Sequence, residues 1–159
     1  MPIPAKYVHT NLIAQDWRTL ARFYQEVLGC IPVPPERDFR SADLDSATGL
    51  NGAHLTGIHV RLPGVGDLAP TLEIFQYDTL EARPATRVNR PGFGHIAFAV
   101  DDVPSARNAV LQAGGGPVGD IVTLQTADGR KVTWCYVTDP EGNILELQSW
   151  SGEAGRSSS

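Results

Sequence analysis

The sequence predicts an α+β fold made of two β-α-β-β-β modules. Two observations carry this. Segments 9–29 and 95–114 follow one plan: a short alternating strand, an aspartate seven residues after the opening histidine, a helical stripe and a closing glycine. Segments 71–76 and 144–149 then repeat a strand that holds one glutamate, Glu73 or Glu146, between apolar neighbours.

In the first strand Val8, Thr10 and Leu12 share one face and Tyr7, His9 and Asn11 the other. The helix after it is marked by Leu20, Phe23, Tyr24 and Val27, an i, i+3, i+4, i+7 stripe, with Asp16 placed to cap its start and Gly29 its end. Strands are expected near 39–44 and at 55–62, before the strand of Glu73. The second module opens with Ile96, Phe98 and Val100 on one face and His95, Ala97 and Ala99 on the other. Its helix carries Ala106, Ala109, Val110 and Ala113 between Asp102 and Gly114. Strands follow at 118–126 and 131–138, joined by Ala127-Asp128-Gly129, a hairpin signal. His9 and Glu73 are 64 residues apart, His95 and Glu146 only 51. The first module therefore carries extra loop residues, expected in 32–51 and 63–70. Module one spans about 6–78 and module two about 91–150, with a disordered tail at 152–159.

Composition narrows the function. The chain has 159 residues, 42% hydrophobic and 19% charged, enough for a core without covalent staples. Gly (16) and Pro (12) are frequent, so turns are many and long helices few. A net charge of −5 argues against nucleic acid and acidic membranes as partners. No apolar run reaches membrane-spanning length, and residues 1–6 do not form a secretory signal. Cys30 and Cys135 read as two reduced thiols, so a cytoplasmic location is expected.

Strand parity selects the candidate site. If Leu72, Ile74, Leu145 and Leu147 face the helices, then Glu73 and Glu146 face away from them, as His9 and His95 do. A carboxylate on the inner face of a sheet is costly unless it is paired or bound to metal. Imidazole and carboxylate suit Zn, Ni, Co, Mn or Fe, so His9, Glu73, His95 and Glu146 are candidate ligands of one divalent metal.

Two segments carry a family resemblance: Pro-Gly-Phe-Gly-His-Ile-Ala-Phe-Ala-Val-Asp-Asp at 91–102 and Tyr-Val-Thr-Asp-Pro-Glu-Gly-Asn-Ile-Leu-Glu at 136–146. They resemble the vicinal oxygen chelate superfamily, also called the glyoxalase/bleomycin resistance/dioxygenase superfamily, over about residues 6–150. The resemblance implies a curved mixed sheet around a metal, and a homodimer. By position, His9, Glu73, His95 and Glu146 match the ligands of glyoxalase I, and methylmalonyl-CoA epimerase looks similar. The implied chemistry is that of a lyase or isomerase acting on a small-molecule substrate, with proton abstraction beside a metal-chelated carbonyl. Glu146 is the implied base and Glu73 a second acid/base. Ile13 and Tyr77 stand where glyoxalase I has residues that hold glutathione, which argues against glutathione here.

Two alternatives remain. Extradiol-type Fe(II) dioxygenases use the positions of His9, His95 and Glu146, but segment 128–135 lacks the histidine their signature carries. A metal-free drug-binding resistance protein suits the negative charge, yet gives no reason to fill all four ligand positions. His54 and His59, near a middle strand, read more simply as wall or surface residues. Trp134 and Tyr136 read as core or pocket wall, and no spacing singles out Arg40, Arg61 or Lys131.

Overall fold

The computed structural model describes residues 1–152. Most of the tail expected at 152–159 lies outside them. The chain divides into two compact units, Met1–Arg83 and a second beginning at Pro84.

The first unit runs β1 (His9–Ile13), α1 (Trp17–Leu28), β2 (Ile31–Phe39), α2 (Ala42–Thr48), β3 (Leu55–Arg61), a 3-10 turn (Gly66–Leu68) and β4 (Thr71–Tyr77). Its sheet has the order β1-β4-β3-β2, with β1 and β4 parallel and the other pairs antiparallel. Asp16 caps α1: its Oδ1 accepts the Arg18 and Thr19 N–H groups, each at 3.1 Å. These bonds, with that of the Thr19 hydroxyl, hold the Asp16 carboxyl below its ordinary range. Gly29 ends the helix at φ 71°, in the left-handed region. Leu20, Phe23 and Tyr24 pack against Ile58 and Val60 of β3 and Leu72 and Ile74 of β4, all buried. Each such leucine contributes about 2 kcal/mol by leaving water.

The second unit runs β5 (Ile96–Ala99), α3 (Val103–Gln112), β6 (Gly116–Gln125), β7 (Lys131–Thr138) and β8 (Ile144–Ser151). Its sheet order, β5-β8-β7-β6, repeats that of the first, again with one parallel pair, β5 and β8. Asp102 caps α3 through the Ser105 N–H at 2.7 Å. Val103, Val110, Cys135, Val137, Ile144, Leu145 and Leu147 form the core. The described residues form an α+β fold of two four-stranded mixed sheets and three α-helices.

Three local expectations change. The strand expected near 39–44 is a strand ending at Phe39 followed by a helix. Ser41 Oγ accepts the Leu44 N–H at 3.1 Å, and Asp45 accepts the Gly52 and Ala53 N–H groups at 2.8 and 2.7 Å, which closes the helix into its own loop. The stretch 32–51, expected as loop, is therefore largely β2 and α2. The prolines of β2 are tolerated because it is an edge strand, and its register with β3 slips between Val33 and Arg37. Ala109 of α3 and Ala113 at its C-cap are exposed. Val103 takes the first inward position right after the cap and sets a buried line through Ala106 to Val110. Cys30 and Cys135 are both free and buried; burial pushes the Cys30 thiol up to about 11.

Candidate functional site

The parity argument places the polar residues as expected within each unit. In the first, Glu73 lies on β4 between β1 and β3. It is in register with Asn11 on one side and His59 on the other, while His9 pairs with Thr71, two residues away. Three donors meet there. Glu73 Oε2 is 2.9 Å from His59 Nε2, and Glu73 Oε1 is 3.7 Å from His9 Nε2. Asn11 Nδ2 donates to Glu73 Oε1 at 3.0 Å and to the Glu73 carbonyl at 3.2 Å, which fixes the carboxylate. The two imidazoles meet edge to face, with centroids 5.5 Å apart. Burial pushes the His59 imidazole below its ordinary value, with the Glu73 carboxylate acting in the opposite sense.

Sequence reasoning weighed His59 as wall or surface. The signal that would have found it is the β3–β4 register, which sets His59 opposite Glu73. No motif carries that register, because the loop between these strands is longer than a tight hairpin.

In the second unit His95 stands immediately before β5, and its Nε2 lies 3.0 Å from Glu146 Oε2. Glu146 is in register with Ala97 and Tyr136, just as Glu73 is with Asn11 and His59. The turn before β8 is built on Asp139, only 1% exposed. Its carboxylate accepts the N–H groups of Glu141 and Asn143 at 2.9 and 3.0 Å and the Asn143 amide at 2.7 Å. Gly142 completes the turn at φ 86°. This is how the Asp-Pro-Glu-Gly-Asn motif delivers Glu146 to its place. Trp134 and Tyr136 are half-buried on the same face and meet at 5.0 Å between ring centroids, and the Tyr136 ring lies 5.0 Å from that of His95. With Val132, Gln148 and Trp150 they line a cavity of about 240 Å³ beside Glu146. They are the wall that the sequence suggested.

The donor chemistry fits a divalent transition metal in both units: imidazoles and carboxylates, the carboxylates half-buried and His9 and His95 more open, at separations that one ion can bridge.

His54 belongs elsewhere. Its Nε2 is 2.7 Å from Asp38 Oδ1 and its Nδ1 2.9 Å from Asp78 Oδ2, beside a second cavity of about 380 Å³ that also includes Ile13 and Tyr77. The hydrogen bond with Asp38, then that with Asp78, raises its pKa above the ordinary 6.5. The folded state thus holds this proton more tightly than the unfolded chain does. The stabilisation is complete below 6.5 and is lost as pH rises through the raised folded value. The melting-temperature advantage of the wild type over His54→Gln is therefore expected to shrink as pH is raised from about 6 to about 9. A gap that stays constant or widens would contradict the assignment.

Residues 6–147 match the Glyoxalase/Bleomycin resistance protein/Dioxygenase superfamily. No curated protein matches the chain at a significant level. Among solved structures, a glyoxalase family protein from Bacillus cereus is similar at 18% identity, with a TM-score of 0.78, covering 95% of this chain and 97% of that one. A glyoxalase/bleomycin resistance protein/dioxygenase family enzyme from Burkholderia phytofirmans is similar at 14% identity and a TM-score of 0.56, over 91% and 98% of the two chains. An integron cassette protein from V. cholerae shares 24% identity at a TM-score of 0.54, over 95% and 99%. At these identities the structures speak for the fold alone. The family match, running from just before His9 to just after Glu146, goes further: the chain belongs to the glyoxalase/bleomycin resistance protein/dioxygenase superfamily.

Proposed function

We propose that the chain is a divalent-metal-dependent lyase or isomerase that removes a proton beside a carbonyl of a small-molecule substrate. Each unit offers the metal an imidazole and a carboxylate, His9 with Glu73 and His95 with Glu146; Glu146 is the base, and Glu73 is a second acid/base. One observation carries this reading: both units set an imidazole beside a carboxylate, at the same register offset, on the sheet face opposite the helices.

When bound, the metal supplies Lewis-acid polarisation of the carbonyl. The chain's own residues do the rest. The Glu146 carboxylate accepts the carbon-bound proton, and the register of β8 with Ala97 and Tyr136 holds that carboxylate in place. Val132, Trp134, Tyr136 and Trp150 offer an apolar wall to the organic part of the substrate.

Metal analysis of protein purified without chelators tests this. About one tightly held Zn, Ni, Co, Mn or Fe ion per chain is expected. Protein that carries none and gains none on titration supports the metal-free binding alternative instead. Oxygen uptake after anaerobic Fe(II) loading would favour the dioxygenase alternative over the isomerase.

A further inference from the structure

We propose that His59 is a metal ligand, so that the first unit alone carries a three-donor site of two imidazoles and one carboxylate: His9, His59 and Glu73. The inference rests on the reading above that the chain binds a divalent transition metal, and it adds to that reading a donor outside the four-residue set.

The donor atoms of these residues all lie within 4.8 Å of one another. Bonds of roughly 2.1 Å to one ion separate neighbouring ligand atoms by roughly 3.0 Å at right angles and roughly 3.4 Å in a tetrahedron. His59 Nε2 lies 2.9 Å from Glu73 Oε2 and His9 Nε2 lies 3.7 Å from Glu73 Oε1, one imidazole at each carboxylate oxygen, and these separations bracket that range.

The surroundings orient these residues as ligands. His59 Nδ1 is 2.8 Å from Thr71 Oγ1, which turns Nε2 toward the cluster, the outer-shell arrangement that ligating histidines use. Asn11 performs the same service for Glu73. Two neutral imidazoles and one carboxylate leave a bound divalent ion with net positive charge and vacant coordination positions. The set suits a first-row ion such as Fe(II), Co(II) or Zn(II).

Comparison of the units argues that ring packing alone does not account for His59. The residue in register with the glutamate is His59 in the first unit and Tyr136 in the second. An aromatic ring beside the glutamate meets the packing need in the second unit. The first has a ring nitrogen there instead, aimed at the carboxylate.

The test is Co(II) titration of the full-length chain, followed by d–d absorption and by affinity in competition with a chelator. Wild type, His59→Ala, His59→Gln and His9→Ala are compared, with circular dichroism to verify folding. A loss of affinity of about 100-fold and altered band intensities are expected in both His59 variants. Wild-type affinity and spectrum in a folded His59 variant, while His9→Ala loses binding, would overturn the proposal and leave the wider metal reading standing. Should the variants fail to fold, Zn(II) added to wild type decides: the His59 Nε2 resonance is expected to shift, and a fixed His59 signal beside a moving His9 signal overturns the assignment. The mechanism proposed above stands or falls separately, on the turnover of a Glu146 variant.

Discussion

Glu146→Gln is expected to lower turnover by about 10³-fold or more while the protein stays folded and keeps part of its metal affinity. Glutamine preserves the shape of the side chain on β8 and its register with Ala97 and Tyr136. It removes the basic oxygen that lies 3.0 Å from His95. The clearest readout is exchange of a carbon-bound proton with deuterated solvent, followed by NMR, on any carbonyl compound that the wild type enolises. Metal content measured on the same samples separates loss of the base from loss of a ligand. Full exchange in a metal-loaded Glu146→Gln protein would reject Glu146 as the base.

Gly57→Ala is expected to cost about 3 kcal/mol, read as a lowered denaturation midpoint. A Cβ at this position would lie 2.1 Å from the Ile74 carbonyl oxygen, 2.5 Å from the Phe75 ring and 2.9 Å from the Phe75 Cα. Two of these are backbone atoms of the paired strand, so β3 and β4 themselves must move. Phe75 lies over Gly57 and meets the His59 ring edge to face at 6.0 Å. The substitution therefore also disturbs the cluster of His9, His59 and Glu73, and weaker metal binding should accompany the lost stability. Near-wild-type stability would show that the two strands separate more easily than this packing implies.

Much of this arrangement was legible in the sequence. Alternation alone put His9, Glu73, His95 and Glu146 on the face away from the helices, because a strand has only two faces and the apolar residues claim one. Asp16, Asp102 and the turn at 139–143 announced their elements through local hydrogen-bonding chemistry. What escaped depends on distant partners. The prolines of β2 argue against a strand until its edge position is known. Helix α2 is held by Asp45 reaching across a loop, which no periodicity reveals. The phase of α3 is set by Val103, whereas small alanines fit either face and mislead. His59 became a site residue only through its register with Glu73, a relation between strands rather than within one.

The first and last strands of each unit are the parallel pair that joins histidine to glutamate. In the first unit Asn11 and Glu73, which meet across that pair, are 62 residues apart in the chain. Local events such as helix formation precede so long a closure, whose entropic cost must be met before its contacts repay it. His9 therefore reaches Glu73 only when that closure is made. An ion that needs both residues meets its complete site only then. It should slow unfolding while leaving the refolding rate almost unchanged, so that its benefit to the protein is persistence rather than speed.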